Sequence, residues 1–214
     1  MKKFLLSAVI LLLVCGCSNI NKMSINKITS NSLNGKVSHS NVIRIGYKYY
    51  KPSLMSIIST SNNNEVLRSE DHLYYLYVDT VSYLSKTNSS YEENDISYYS
   101  KKINHKKKSG YIEINEIKDN EYLIEIMYNY AKIEVMVEKS YINVAVANSL
   151  SILTSIKYND TVIKNKMDSH VLSNYEETVD IFKTATKNGN NNYLKYVEDK
   201  TYDKDVIPDM DLVN

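Results

Sequence analysis

Four short runs of alternating residues restrict what this chain can fold into. They cover residues 110–117, 121–128, 131–138 and 141–148. In the second run, Tyr122, Ile124, Ile126 and Tyr128 alternate with Glu121, Leu123, Glu125 and Met127. In the third run, Ile133, Val135 and Val137 alternate with Lys132, Glu134 and Glu138. A period of two puts neighbouring side chains on opposite faces of a strand, and links of two or three residues require antiparallel neighbours. The runs therefore predict an antiparallel β-meander with one oily face and one solvated face.

Two segments outside the meander carry apolar residues at helical spacing. The first covers residues 70–85, whose apolar side chains recur three and four positions apart behind Ser69, a residue suited to capping a helix. The second covers residues 175–187, which lie between a capping Asn174 and Gly189. Each segment is long enough to cover part of a sheet, so the sequence predicts two main helices.

The remaining patterns complete the predicted fold. Residues 150–158 and 161–164 resemble two further strands. The chain has 20 Tyr but only 2 Phe and no Trp, and a core supplied by Ile, Val, Leu and Tyr favours strands. We therefore expect the α+β class: an antiparallel β-meander sheet of about four to seven strands with two main helices packed on one face.

The first residues have the pattern of an export signal. Lys2 and Lys3 are followed by an apolar run at 4–14, about eleven residues long, which is too short to cross a membrane but typical of a signal peptide. The run ends in Val14-Cys15-Gly16-Cys17. This ending resembles the lipobox of bacterial lipoproteins, in which an aliphatic residue, a small residue and an obligatory cysteine surround the cleavage site; Cys15 at the middle position is a departure.

The resemblance implies cleavage before Cys17 and a diacylglycerol thioether on its sulfur. Two acyl chains hold a protein firmly to a bilayer, so the expected location is the outer face of the cell membrane. The exported domain would then have no free thiol and no disulfide. The whole chain also looks like the uncharacterised small lipoproteins of low-GC Gram-positive bacteria, a likeness that implies no activity.

This interpretation divides the chain into four parts. Residues 1–16 form the signal peptide, and residues 17–40 form the lipidated cysteine with a flexible tether rich in Ser, Asn and Lys. Residues 41–198 form a single α+β domain. Residues 199–214 form a loose acidic tail.

A lysine cluster is the most distinctive polar feature of the domain. Five lysines and one histidine lie within eight residues: Lys101, Lys102, His105, Lys106, Lys107 and Lys108. On a membrane-anchored protein such a cluster suits contact with anionic lipid or with a cell-wall polymer. The alternative is a solvated hairpin loop that resists aggregation of a sheet edge. With 26 basic and 25 acidic residues, the formal net charge of +1 argues against nucleic acid as a partner.

The sequence contains no catalytic motif and implies no cofactor. Five glycines in all leave little for loops that cradle phosphates, and the four histidines are too far apart to predict a metal site: His39, His72, His105 and His170. The leading hypothesis is a membrane-anchored, non-enzymatic binding or scaffolding module that meets another envelope protein, anionic lipid or cell-wall polymer. The alternatives are a cell-surface hydrolase with a carboxylate centre and a carrier of apolar ligands.

Overall fold

The computed structural model describes residues 20–36, 39–61, 63–87 and 90–168, with side chains described up to residue 165. The predicted signal peptide, Cys17, the predicted helix at 175–187 and the predicted acidic tail lie outside these residues.

Most strands of the described part follow one another directly, with helices near its two ends and one short helix in the middle. In chain order they are a 3-10 turn (Ile20–Lys22), α1 (Ile25–Asn34), β1 (Val42–Arg44), β2 (Tyr47–Tyr49), β3 (Ser56–Ser61), β4 (Asn64–Ser69), β5 (His72–Val78), α2 (Thr80–Ser85), β6 (Tyr99–His105), β7 (Lys108–Lys118), β8 (Glu121–Tyr128), β9 (Ala131–Glu138), a 3-10 turn (Lys139–Tyr141), α3 (Ile142–Ser155), β10 (Lys157–Tyr158) and α4 (Asp160–Asp168). No helix in this part of the chain is long and apolar enough to cross a bilayer.

The strands form two antiparallel sheets. The main sheet has seven strands in the order β3-β4-β5-β9-β8-β7-β6, and the small sheet has three in the order β1-β2-β10. Strands β6 to β9 are consecutive and form a meander. Strands β7, β8 and β9 match three of the four predicted runs, whereas β6 was not predicted as a strand. Strand β5 pairs with β9 and so joins the hairpins of β3 to β5 onto the meander. The predicted α+β class with an antiparallel sheet is confirmed.

One face of the main sheet, here called the core face, holds most of the hydrophobic core. Its central side chains are fully buried: Leu67, Ile112, Ile114, Ile124, Ile126, Ile133 and Val135. Helix α3 packs on β8 and β9 from this side, and α1 lies beside α3. Burying an isoleucine or leucine stabilises the fold by about 1.5–3 kcal/mol each. The prediction of two main helices on one face of the sheet is therefore confirmed. Neither helix, however, lies in a segment that the sequence patterns predicted to be helical.

The helix predicted at residues 70–85 is wrong over most of its length. Residues His72–Val78 form β5, and only Thr80–Ser85 is helical, capped by Asp79, whose Oδ1 accepts a hydrogen bond from the Ser82 amide at 2.8 Å. The same apolar residues fit a period of two, with Tyr74 and Leu76 buried in the core. In a segment rich in tyrosine and leucine, pairing with two neighbouring strands outweighs the helical spacing.

Three other predictions of local structure are wrong. The tether predicted at 17–40 contains α1, which begins at a Ser24 cap and buries Ile28. The strand predicted at 141–148 and most of the one at 150–158 form α3, because the buried positions recur at helical spacing through both segments. The strand predicted at 161–164 lies within α4.

The small sheet is joined to the main sheet through one buried carboxylate. Glu65 of β4 points from the core face, and its side chain is fully buried. Its carboxylate accepts hydrogen bonds from Arg44 at 2.6 Å, Tyr49 at 2.9 Å and Tyr47 at 3.3 Å. All three donors lie on β1 and β2, so this contact fixes the small sheet on β4.

The main sheet has two distinct ends. At the first, the entry end, the Asn143 side chain at the start of α3 donates hydrogen bonds to the backbone carbonyls of Ile20, Asn21 and Met23. At the second, the hairpin end, lies the turn between β6 and β7. Strand β7 runs from the hairpin end to the entry end, and its eleven residues span about 35 Å.

Candidate functional site

The predicted lysine cluster forms a β-hairpin. Strands β6 and β7 pair from Tyr99↔Ile114 to His105↔Lys108, which leaves Lys106 and Lys107 as a two-residue turn. Both turn residues have positive φ, 48° and 65°. This is the backbone of the tight turn that fits the twist of a hairpin, but asparagine and glycine are the residues that adopt it readily. A lysine in the left-handed region costs roughly 1–2 kcal/mol.

The structure brings only part of the cluster together. Lys106 and Lys107 are exposed at the tip, with Lys108 and His105 half-buried beside them. Lys101 and Lys102 are also exposed but lie back along β6, about 10–15 Å from the turn. The Lys102 amide donates to the Glu93 carboxylate at 2.8 Å, which covers this edge strand.

Two further lysines that the sequence analysis missed lie at the hairpin end. Lys157 of β10 is close enough to act on Lys108, whose pKa is lowered by burial and by the charge of Lys157. Lys48 of β2 is the direct cross-strand partner of Lys157, and both are exposed. The name basic end is used below for Lys48, Lys106, Lys107, Lys108 and Lys157. Lys48 and Lys157 are more than one hundred residues apart in the sequence, so no sequence pattern predicts that they lie together.

The lysines of the basic end have no acidic partner in the described part of the chain. The ion pairs found there lie elsewhere: Arg44–Glu65, His72–Glu138, Lys118–Glu121, Lys132–Glu125 and Lys132–Glu134. Like charges that face each other across a sheet destabilise it. Among the described residues the basic end is therefore a concentration of positive charge without ion-pair partners.

The opposite face of the main sheet carries a row of three carboxylates, the second candidate site. Glu113, Glu125 and Glu134 occupy directly paired positions on β7, β8 and β9. Alternation in the sequence predicts Glu125 and Glu134 on a solvated face. That prediction is wrong at the centre of the sheet, since the side chains of Glu134 and its neighbour Lys132 are only 3% and 7% exposed.

Each carboxylate of the row has a donor. Lys132 Nζ lies 2.7 Å from Glu134 Oε1 and 3.4 Å from Glu125 Oε2, and the Tyr111 hydroxyl donates to Glu125 Oε1. Tyr91, whose ring stacks on Tyr111 with centroids 4.0 Å apart, donates its hydroxyl to Glu113 at 2.8 Å. The carboxylates are thus held by side chains of the domain itself.

Burial raises the pKa of Glu134. Lys132 lowers this pKa and Glu125 raises it, but the loss of solvent has the largest effect. No described residue forms a hydrogen bond with Glu134 Oε2. A protonated carboxyl next to an ionised one is the arrangement used in acid–base catalysis. Here both carboxyl groups are engaged by Lys132, so the row fits a structural role better than a catalytic one.

Replacing Glu134 by glutamine should remove a pH dependence of stability. Below the ordinary glutamate pKa near 4.5, the residue is protonated in both folded and unfolded chains, and its stabilising contribution is complete. As pH rises, the unfolded chain loses the proton first, so this contribution falls until pH exceeds the raised folded pKa. The E134Q variant should therefore gain stability relative to wild type over that rise.

Urea unfolding measured between pH 4 and pH 8 checks this expectation. Glu92→Gln removes one exposed carboxylate and serves as the control for loss of charge. A difference between E134Q and wild type that stays constant across this range would contradict the assignment.

The described part also contains a small polar cavity between α1 and α3. Its volume is about 130 Å³, and it is lined by Asn31, Ser32, Gly35, Lys36, Tyr50, Ser151, Thr154 and Ser155. An apolar ligand needs an apolar lining and a volume of several hundred Å³. This cavity does not offer them.

Possible metal ligands are not grouped in the described residues. No set of three or more His, Cys, Asp or Glu side chains there is placed to hold a metal ion. The predicted lipidation site, Cys17, lies outside the described part.

Comparison with protein-family models, with curated proteins and with solved structures finds no match to this chain.

Proposed function

We propose that the protein is a membrane-anchored extracytoplasmic binding module. Lipid on Cys17 holds it to the outer face of the cell membrane, and its basic end meets an anionic component of the envelope. The observation that carries this proposal is that the first described residues and the lysine hairpin lie at opposite ends of the main sheet. The chain enters the domain at the entry end, and the lysine hairpin lies at the hairpin end.

The short connection to the anchor supports this orientation. Cys17 lies only three residues before Ile20, the first described residue of the domain. Three residues reach at most about 10 Å. The entry end would therefore lie close to the bilayer, while the basic end, farther along the sheet by most of the length of β7, would face the rest of the envelope.

A binding role also fits the electrostatics better than a hydrolytic one. The lysines of the basic end are exposed or half-buried and have no acidic partner in the described part. The carboxylates that a hydrolase would use are instead engaged by Lys132, Tyr111 and Tyr91. Exposed, uncompensated charge is available to a partner, whereas a buried and satisfied carboxylate is not.

Replacing Cys17 by serine tests the anchor. Serine has no thiol to accept the diacylglycerol group, so the C17S variant should lose incorporation of labelled palmitate and move from the membrane fraction to the soluble or precursor fraction. Because the Cys17 sulfur is the proposed site of attachment, the loss of labelling should be complete. Two acyl chains provide nearly all of the expected membrane affinity, so the mature C17S chain should no longer be held by the membrane.

The neighbouring cysteine provides a matched control. Cys15 would leave with the signal peptide, so Cys15→Ser should be labelled and membrane-bound like the wild type. Palmitate labelling of C17S at the wild-type level would overturn the assignment of Cys17.

A further inference from the structure

We propose that the basic end binds a linear polymer carrying phosphate charges, such as a phosphate-rich polymer of the cell wall. This inference rests on the proposed function, because the anchor determines that the basic end faces away from the cell's own bilayer. The polymer would lie across the tip of the β6–β7 hairpin and continue onto the exposed strands of the small sheet.

The first argument is the crowding of like charges. Lys48 and Lys157 face each other directly across two strands, and Lys157 also acts on Lys108. Such pairs are unfavourable in the free protein. No acidic side chain in the described part forms an ion pair with these lysines. An anion that bridges adjacent lysines would therefore be attracted by both and would also reduce the repulsion between them.

The second argument is the chemistry of the turn. The hairpin between β8 and β9 turns on Asn129 and Tyr130, also with positive φ, and its first residue is asparagine, which tolerates that conformation. The β6–β7 turn instead has lysine at both positions. Lysine does not favour the turn, so its presence is better explained by the two charges it places at the tip.

The third argument concerns the type of anion. Lysine ammonium groups are flexible point charges with three donors each, suited to phosphate oxygens that vary in position along a polymer. The arginine of the small sheet, Arg44, is held on buried Glu65 and is not available for paired recognition of carboxylates. A chain of separate phosphate groups therefore fits better than a single tightly held ligand.

A bilayer is the competing occupant. Ile43 and Ile45 are 76% and 67% exposed, and Ile43 is the cross-strand partner of Lys48. Apolar side chains beside lysines would also suit an anionic lipid surface. The proposal favours the polymer because the entry end, not this one, lies next to the predicted anchor.

The test measures binding of the full-length chain, in a neutral detergent, to long-chain inorganic polyphosphate. The wild type should bind, and binding should weaken as salt is raised. The variant Lys106→Asn/Lys107→Gly places preferred residues in the turn, so it should melt no lower than the wild type. It should nevertheless lose about 25-fold in affinity, since each lysine near a charged surface contributes about five-fold.

The matched control removes the same charge elsewhere. Lys101→Gln/Lys102→Gln changes two exposed lysines of β6 that lie outside the basic end and should retain affinity within about two-fold. Lys48→Gln/Lys157→Gln should lose affinity as the tip variant does. Equal losses for all three double variants would show that only net charge matters and would overturn the proposed site.

Two other probes identify the chemistry. Polyglutamate of matched length should bind more weakly than polyphosphate, and equal affinity would overturn the preference for phosphate. Vesicles of phosphatidylcholine and phosphatidylglycerol, tested without detergent on a chain that starts at residue 17 and carries Cys17→Ser, so that neither a signal peptide nor acyl chains can insert, should also bind more weakly than polyphosphate. If they bind more tightly, and Ile43→Ser abolishes this, the bilayer is the occupant and the proposal fails. Neither measurement depends on lipid at Cys17, so their failure leaves the proposed anchor untouched.

Discussion

Replacing Lys132 by methionine should lower the free energy of unfolding by about 3–5 kcal/mol. The lysine ammonium is the charge that Glu134 and Glu125 share, at 2.7 and 3.4 Å. Methionine fills a similar volume but leaves two carboxyl groups without their cation. Because Glu134 is nearly fully buried, it can be stabilised only by taking up a proton or by moving into solvent, and both cost stability.

Urea unfolding at neutral pH measures the loss. Lys118→Met is the matched control, since Lys118 also pairs with a glutamate, Glu121, at 3.2 Å but is 68% exposed. An exposed pair of this kind contributes about 1 kcal/mol or less. If K132M costs no more than K118M, the charge of Lys132 is not needed and the row is stabilised in another way.

Restoring charge balance gives a second check on the same site. Adding Glu125→Gln and Glu134→Gln to K132M removes the two carboxylates that were left without a cation. We expect this triple variant to recover most of the lost stability, because replacing a whole buried ion pair is far less costly than removing one partner. A triple variant less stable than K132M would show that packing, not charge, dominates.

Strands β8 and β9 were predictable because their alternation of apolar and charged residues does not fit a helix. Strands β8 and β9 have the bounds that alternation predicted, Glu121–Tyr128 and Ala131–Glu138. The charged residues of these strands all fall on one side of the alternation, at Glu121, Glu125, Lys132, Glu134 and Glu138, where they would interrupt the apolar stripe of a helix. In β5 and α3 the apolar residues are denser, so that spacings of two, three and four all occur. Pairing with neighbouring strands selects one pattern and packing over the sheet selects the other, and neither is local information.

The candidate sites were less predictable because they depend on register. Alternation placed Glu125 and Glu134 on the same side as Lys132, which is correct. It did not show that this side is buried at the centre of the sheet. Likewise the lysine hairpin is visible in the sequence, but Lys157 and Lys48 join it only because β10 returns beside β2 after α3.

Replacing Arg44 by methionine should also cost about 3–5 kcal/mol. Glu65 lies between the two sheets with its side chain fully buried, and Arg44 provides its only contact with a positively charged group among the described residues. Tyr49 remains a donor to Glu65, since burial and the nearby Glu65 charge raise the pKa of its hydroxyl. Neutral hydroxyls alone do not balance a buried charge, so the small sheet should detach more readily from β4.

Hydrogen exchange and urea unfolding together separate this effect from general loss of packing. Relative to the wild type, R44M should speed up the exchange of the β1 and β2 amides more than that of the β8 amides, because the broken contact lies between the sheets. Arg68→Met, on the same strand as Glu65 but exposed, should change stability by less than about 0.5 kcal/mol. Adding Glu65→Gln to R44M should restore much of the loss, because the amide keeps the tyrosine contacts without the charge. If it does not, Arg44 acts through the packing of its side chain, and Glu65 does not fix the small sheet by its charge.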